Sequence, residues 1–131
     1  MDQILVTAMI VVRNEEKYIK TSFESLLHQD FQEDKYEILI IDGESTDNTM
    51  KIVNSIIEEY NGKTPIRLFK NEKRVLAAGW NLGIKEARGK YVVRIDAHAK
   101  ASKDFLKKNL ETIKTLPEDV ACVGGKLTSI S

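Results

Sequence analysis

The chain has 131 residues, 42% of them hydrophobic and 31% charged, a balance that indicates one globular domain with a single core. Its 20 basic and 20 acidic side chains cancel, which excludes the basic excess typical of nucleic-acid-binding proteins. The single cysteine, Cys122, excludes an internal disulfide, and no apolar run approaches the ~18 residues that a membrane-spanning helix needs.

Hydrophobic patterning predicts strands and helices in alternation. Residues 4–12 are apolar and β-branched, as in a buried strand, and Asn14 is the predicted N-cap of the helix that follows. Residues 36–41 form a second predicted strand, which ends at Asp42. The next helix has three candidate N-caps, Ser45, Thr46 and Asp47.

The second half of the chain continues this alternation. The predicted elements are a strand at 66–69, a helix from about 75 to 87, a strand at 91–95, a loop at 96–101, a helix from 102 or 103 to about 116 and a strand at 120–127. The last strand runs close to Ser131 with no closing helix. We therefore expect one domain over residues 1–131, truncated before a second half.

This pattern predicts an α/β fold, a mostly parallel sheet with helices on both faces. Right-handed crossovers place the carboxyl ends of the strands at one edge of the sheet, where functional loops gather. Four stretches follow those ends, at residues 13–14, 42–45, 70–74 and 96–98.

Asp96 and His98 come directly after the fourth predicted strand. If the extended geometry persists, side chains two residues apart point the same way and converge at the carboxyl edge. A carboxylate with an imidazole favours Mn²⁺ or another transition metal over Mg²⁺, which prefers oxygen alone. The same spacing also suits a turn cap at Asp96 and an ordinary surface histidine.

Asp42 ends the second predicted strand. Such an acid can accept hydrogen bonds from a base N–H or a ribose hydroxyl, and Gly43 after it allows a tight backbone turn. Alternatively, Asp42 only shapes the turn before the next helix. The sequence leaves both interpretations open.

A basic pair, Lys73 and Arg74, precedes the third predicted helix, whose first N–H groups already favour an anion. Within that helix, Gly79 and Gly83 form a smooth face that allows close approach of the sheet or of a ligand. Trp80 is predicted to lie in the core, with stacking on a base as the alternative.

Arg94 is a charge inside an otherwise apolar strand, so it requires a partner. It shares the face of Asp96 and His98, where it would orient Asp96, meet a phosphate or form a structural ion pair. Glycine-rich dinucleotide and P-loop motifs are absent from the sequence, as is a Gly-x-Ser-x-Gly elbow, which disfavours three common enzyme classes.

Several segments, taken in order, resemble family 2 of the nucleotide-sugar glycosyltransferases, which have the Rossmann-like GT-A fold. The matching segments are residues 9–16 (MIVVRNEE), 25–29 (SLLHQ), 40–49 (IIDGESTDNT), 78–83 (AGWNLG), 87–89 and 91–98 (YVVRIDAH). Each is weak alone, but the ordered set covers nearly the whole chain and is specific. The variants at 42–47 and 94–98 most resemble bacterial exopolysaccharide (succinoglycan-type) glycosyltransferases.

The resemblance implies roles for the matching residues. Asp42 would contact the nucleobase, usually uracil, and Asp96 would lie near the ribose and the metal. His98 would take the metal-binding position of the family's Asp-x-Asp motif, with Mn²⁺ or Mg²⁺ neutralising the leaving diphosphate. The predicted nucleotide-binding set also contains Val11, Arg13, Asn14 and Glu15 of the first-strand loop, Arg74 just before the third helix and Asn81 within that helix.

Three positions depart from the family pattern. His98 replaces the usual second acid, Gly43 replaces a frequent acid after Asp42, and Arg13 stands where an aromatic residue often stacks on the base. The family's catalytic base is a carboxylate of the second half, so we expect it beyond Ser131.

The implied activity is that of an inverting glycosyltransferase with a UDP-sugar donor and a saccharide or lipid-linked acceptor. Two alternatives stay open, a nucleotidyltransferase, which the acidic loop at 15–16 disfavours, and a non-catalytic interaction domain. Exposed core surface would allow a homodimer. The lone cysteine and the lack of a signal peptide indicate the cytoplasm, with a longer parent protein at the inner face of the membrane.

Overall fold

The computed structural model describes residues 4–114, 122–124 and 128–129. Its strands, in chain order, are β1 (Val6–Val12), β2 (Tyr36–Asp42), β3 (Ile66–Lys70), β4 (Tyr91–Asp96), β5 (Ala99–Lys100), β6 (Cys122–Gly124) and β7 (Thr128–Ser129). The main sheet has the order β3-β2-β1-β4-β6, and all its neighbouring strands pair in parallel. β5 and β7 form a separate antiparallel pair.

The helices are α1 (Ile19–Leu27), α2 (Thr49–Glu59), α3 (Leu76–Glu86) and α4 (Phe105–Lys114). One face of β1, with Ala8 and Ile10, is buried against apolar side chains of α1, α2 and α4. The opposite face, with Met9, packs in a second cluster that includes Trp80 of α3. Helices therefore cover both faces, and the predicted α/β fold with a parallel sheet is confirmed.

The first helix begins later than predicted. α1 starts at Ile19, because Asn14 has a left-handed backbone (φ 54°) and residues after it form a turn. The Asn14 side-chain oxygen accepts the backbone N–H of Thr46 at 2.7 Å instead of capping α1. Asp47 is the predicted cap that does contact its helix, since its carboxylate accepts the N–H of Thr49 at 2.9 Å.

One prediction in the second half needs correction. Residues 96–101 were expected as a loop, but β5 lies within them and pairs with β7, a contact that no local pattern signals. The predicted strand at 120–127 is present at β6, and its remaining residues lie outside the described part of the chain. Among the described residues, no helix combines the length and apolarity needed to cross a membrane.

Arg94 does not have the buried environment expected for it. Its side chain is exposed, and its guanidinium lies 5.3 Å from the ring centroid of Trp80, which is itself only half-buried. The reason is that β4 alternates, with Val93 and Ile95 buried on one face and Arg94 on the less covered face. Among the described residues, Arg94 thus has a cation–π contact and no acidic partner.

Candidate functional site

The carboxyl ends of four strands meet at one edge of the sheet. Val11 of β1 is aligned with Ile41 of β2 and with Asp96 of β4, and Asp42 is aligned with Lys70 of β3. A cavity of about 250 Å³ opens at this edge. Six of the predicted site residues are among those that line it: Val11, Arg13, Glu15, Arg74, Asp96 and His98.

His98 is held between two carboxylates. Its Nε2 lies 2.7 Å from Glu15 Oε2, and its Nδ1 lies 3.1 Å from Asp96 Oδ1. The same Asp96 oxygen accepts the backbone N–H of His98 at 2.8 Å. The ring also contacts Tyr18, with 5.1 Å between centroids. Asp96 and His98 therefore converge, but through a turn that the Asp96 carboxylate caps and not through a continued strand. Glu15 joins them from a distant part of the sequence.

Glu15 is fixed by the local structure around it. Its backbone N–H donates to Thr49 Oγ1 at 2.8 Å, and its carbonyl accepts the N–H groups of Tyr18 and Ile19. Burial raises the pKa of the Glu15 carboxyl, His98 nearby opposes this, and the carboxylates of Asp96 and Asp47 add to it. The carboxylates of Asp96 and Asp47 are thus close enough to Glu15 to oppose its ionisation.

Asp42 makes the turn that follows β2. Its Oδ1 accepts the hydroxyl of Ser45 at 2.6 Å and the Ser45 backbone N–H at 3.1 Å. Asp42, Asn14 and Asn81 are not among the residues that line the cavity. Asn14 faces the loop at Thr46, and Asn81 is exposed on α3.

The expected turn at Gly43 is made by its neighbour. No glycine in the described residues has a positive φ, whereas Glu44 does, at 62°. Gly43 instead offers its carbonyl to Arg13, whose Nε donates to it at 2.9 Å. The correction is that Glu44, not Gly43, takes the left-handed conformation.

An ion-pair cluster lies beside the cavity, and the sequence did not predict it. Glu44 Oε1 lies 2.6 Å from Arg74 Nε, and Glu44 Oε2 lies 3.3 Å from Lys70 Nζ. Hydrogen bonds from Arg74 and then Lys70 hold the pKa of Glu44 below its usual range. Lys70 is the last residue of β3, and Glu44 and Arg74 follow the ends of β2 and β3, so their shared edge was the available signal.

The donor chemistry of this edge fits a divalent cation. Asp96 and His98 offer a carboxylate and an imidazole, a pair suited to Mn²⁺ or another transition metal. In the part of the chain that the structure describes, no group of three or more metal-ligating side chains is already arranged around one point. Two protein ligands would therefore leave positions for ligand or water oxygens.

Comparison with known proteins places these features in context. The family model described as glycosyl transferase family 2 matches residues 7–129. A dolichyl N-acetyl-α-D-glucosaminyl phosphate 3-β-D-2,3-diacetamido-2,3-dideoxy-β-D-glucuronosyltransferase of Methanococcus voltae is 38% identical over 129 residues, covering 96% of this chain and 40% of the relative. The poly(ribitol-phosphate) β-N-acetylglucosaminyltransferase TarS of Staphylococcus aureus is 31% identical over 103 residues, 77% of this chain and 17% of TarS.

Two solved structures share the fold. The S. aureus TarS 1–349 complex with UDP has a TM-score of 0.71 and 26% identity, over 86% of this chain and 32% of that one. The mannosyltransferase PcManGT of Pyrobaculum calidifontis, in complex with GDP-Man and Mn²⁺, has a TM-score of 0.77 and 27% identity, over 85% and 32%. The chain therefore spans less than half the length of the proteins it matches.

Proposed function

Because the chain belongs to glycosyl transferase family 2, we propose that it binds the nucleotide-sugar donor of an inverting glycosyltransferase, with a divalent metal ion. The observation that carries this proposal is the meeting of Asp96, His98 and Arg74 around one cavity at the carboxyl edge of the sheet. Open α/β sheets bind ligands in this position.

Each lining residue has a part in the proposed donor site. Asp96 and His98 would hold the metal ion, which when bound neutralises negative charge on the leaving diphosphate. Arg13 and Arg74 line the same cavity and offer positive charge to the phosphates. Val11 would supply an apolar wall for the nucleoside.

Asp42 can serve the turn and the nucleobase together. Its Oδ1 takes the closer hydrogen bonds from Ser45, whereas Oδ2 has only a 3.3 Å contact with the Ser45 N–H. A carboxylate has about four acceptor positions, so Oδ2 retains capacity for a base N–H. We keep Asn14 and Asn81 as weaker candidates, since neither lines the cavity.

UDP is the preferred nucleotide in this proposal, and Mn²⁺ is the preferred ion. The support is that a TarS structure contains UDP and that PcManGT contains Mn²⁺ with GDP-Man. A saccharide or lipid-linked acceptor remains part of the proposal, as does the cytoplasmic side of a membrane. So does a catalytic base beyond Ser131, since the M. voltae relative is matched over only 40% of its length.

Calorimetric titration tests the donor site directly. UDP and GDP would each be titrated with and without Mn²⁺, and we expect UDP with Mn²⁺ to bind most tightly. Saturating ligand should also stabilise the fold by roughly 1–3 kcal/mol, seen as a higher unfolding midpoint. A folded sample that binds no nucleoside diphosphate would exclude the proposal and favour a non-catalytic interaction domain.

Histidine variants then test the metal ligand. His98→Ala should remove most of the gain in affinity that Mn²⁺ brings, while binding without metal changes little. The matched control is His28→Ala, because His28 is the other histidine of the chain and its Nδ1 contacts only the Glu24 carbonyl on α1, at 2.7 Å. Equal Mn²⁺ dependence in wild type and His98→Ala would remove His98 from the site.

A further inference from the structure

The two ring nitrogens of His98 have different neighbours. Nε2 is 2.7 Å from Glu15 Oε2, and Nδ1 is 3.1 Å from Asp96 Oδ1. A neutral imidazole carries one N–H and one lone pair, so only one of these contacts can be an ordinary hydrogen bond. Which nitrogen donates decides which nitrogen can bind a cation.

The geometry favours Nε2 as the donor. The Glu15 contact is the shorter one, and the Glu15 side chain is 17% exposed against 66% for Asp96. In addition, Asp96 Oδ1 already accepts the backbone N–H of His98 at 2.8 Å. With the proton on Nε2, the Nδ1 lone pair faces the Asp96 carboxylate, so His98 and Asp96 together would hold a divalent cation.

We propose that Glu15 is a positioning residue that holds His98 in its Nε2–H tautomer and directs Nδ1 toward Asp96 for a shared divalent cation. This inference rests on the proposed donor site and assigns Glu15 a role other than contact with the nucleotide. Carboxylates that hold a ligating imidazole in this way are common around protein metal sites.

Glu15 is well placed to position the ring because its own position is fixed. Its N–H donates to Thr49 Oγ1 at 2.8 Å, and the Thr49 backbone N–H is held by Asp47 at the start of α2. Tyr18, one turn further along, lies against the imidazole at 5.1 Å between centroids. The turn from Glu15 to Tyr18 thus contacts the imidazole twice, through the Glu15 carboxylate at Nε2 and through the Tyr18 ring.

The end of β4 is tied to the same part of the chain. Ser22 of α1 donates its hydroxyl to the Asp96 carbonyl at 3.2 Å. The backbone is therefore held at both residues, at Glu15 by Thr49 and at Asp96 by Ser22. His98 is the half-exposed link between them, and without Glu15 its ring would be free to turn and to change tautomer.

Long-range ¹H–¹⁵N NMR of the metal-free full chain tests the tautomer at a pH where the imidazole is neutral. The chain has 2 histidines, so a His28→Gln variant assigns both rings. We expect the Nε2–H form for His98 in the wild type. Glu15→Ala should give a mixture of tautomers, whereas Glu15→Gln should keep Nε2–H, because its amide oxygen still accepts.

Metal binding supplies the second measurement. In the presence of UDP, Glu15→Ala should bind Mn²⁺ about 10–100-fold more weakly than wild type, and Glu15→Gln should lose far less. Far-ultraviolet circular dichroism confirms that each variant is folded. A purely structural role for Glu15 would weaken both variants through unfolding and leave the tautomer of the folded fraction unchanged.

Two results would overturn the inference. One is an Nδ1–H form of His98 in the wild type, and the other is an unaltered tautomer and Mn²⁺ affinity in Glu15→Ala. The NMR experiment needs no nucleotide, so it separates this inference from the proposed function. A wild type with the Glu15-dependent tautomer that binds no Mn²⁺ with UDP or GDP would overturn the donor site and leave the positioning of His98 supported.

Discussion

Three residues at the carboxyl edge have a left-handed backbone conformation, which residues other than glycine seldom adopt. Asn14, Glu44 and Arg74 have φ values of 54°, 62° and 62°, and they follow β1, β2 and β3 respectively. Such conformations cost roughly 1–3 kcal/mol each and persist where neighbouring contacts enforce them. Here Asn14 accepts the N–H of Thr46, and Glu44 pairs with Arg74. Contacts between loops therefore set the shape of the cavity edge.

The Glu44 ion pairs give a pH dependence. Glu44 has a folded pKa below its ordinary value of 4.5, because Arg74 and Lys70 hydrogen-bond to it. The stabilisation is therefore present above the ordinary pKa and is lost as the pH falls through the lowered folded value. Glu44→Gln should lower the unfolding midpoint slightly at pH 7, and the gap to wild type should close on acidification. Thermal unfolding followed from pH 7 to 3 checks this.

Glu72→Gln is the matched control for Glu44→Gln. Glu72 is exposed and lies in the loop that also carries Arg74. Its substitution removes the same charge from the same edge, and we expect a smaller change with no such closing of the gap. Identical pH profiles for the two variants would show that the Glu44 pairs contribute nothing specific. Added salt should reduce the Glu44 effect, since exposed ion pairs are screened.

At this scale, the sequence predicts short-range neighbours better than contacts between loops. Asp96 and His98 do lie together, but the cause is the turn after β4, in which the Asp96 carboxylate accepts the backbone N–H of His98. The contact of His98 with Glu15 depends on β1 lying beside β4 and on the turn before α1, and neither can be read from local spacing. Asn81 belongs to the motif at 78–83 and is a predicted nucleotide contact. In the structure it is exposed on α3 and does not line the cavity.

Helix α3 approaches the sheet closely because of its two interior glycines. A Cβ at Gly79 would meet Val11 Cγ1 at 2.5 Å, and one at Gly83 would meet the Met9 sulfur and Ile41 Cδ1. The smooth face predicted from the sequence therefore serves helix–sheet packing. Leu76 and Trp80 of the same helix line the cavity.

Gly89, just before β4, offers a sharper test of close packing. A Cβ there would lie 2.5 Å from the Thr7 backbone nitrogen and 2.7 Å from the Val6 carbonyl carbon, and backbone atoms cannot rotate away. Gly89→Ala should destabilise the fold by about 1–3 kcal/mol, measured by urea unfolding. Gly43→Ala is the control, because its nearest atom would be 3.4 Å away. Equal stability of both variants would contradict the packing argument.

Elements as a whole were predicted more securely than their ends. Each predicted helix has a counterpart, since apolar spacing reports the buried face. Asparagine favours the N-cap position, so the sequence predicts that α1 begins at Asn14. In the structure α1 begins at Ile19, and the Asn14 side chain bonds to Thr46 instead. The short pairing of β5 with β7 was missed because two residues carry no period.

The amino and carboxyl ends of the strands carry different features, a buried hydrogen-bond network and a cavity. At the amino ends of the strands, Glu37 is buried and accepts hydrogen bonds from Thr7, Arg67 and the backbone N–H of Arg88. Gly89 donates to the Thr7 hydroxyl at 2.8 Å. This network joins β1, β2 and β3 to the segment before β4. The cavity lies at the carboxyl ends, so the buried network and the proposed donor site lie at opposite ends of the strands.

Arg67→Met tests that separation. It removes the cation from a carboxylate that is 1% exposed, and such a loss costs about 3–5 kcal/mol. Urea unfolding should report this destabilisation, while the folded variant binds UDP with Mn²⁺ within about twofold of wild type, a ΔΔG near 0.4 kcal/mol. Adding Glu37→Gln should restore part of the stability, because no buried charge then lacks a partner. A large loss of affinity in folded Arg67→Met would refute the separation.

The position of β1 between β2 and β4 has a consequence during synthesis on the ribosome. Val6 pairs with Tyr36 early, once β2 has emerged, but its pairing with Tyr91 must wait for most of the polypeptide. Closing so long a segment is slow compared with local steps. A nascent chain halted before β4 would contain β1, β2 and Asp42, but neither Asp96 nor His98. The proposed cation site would thus be complete only after β4 and the turn that follows it have been synthesised.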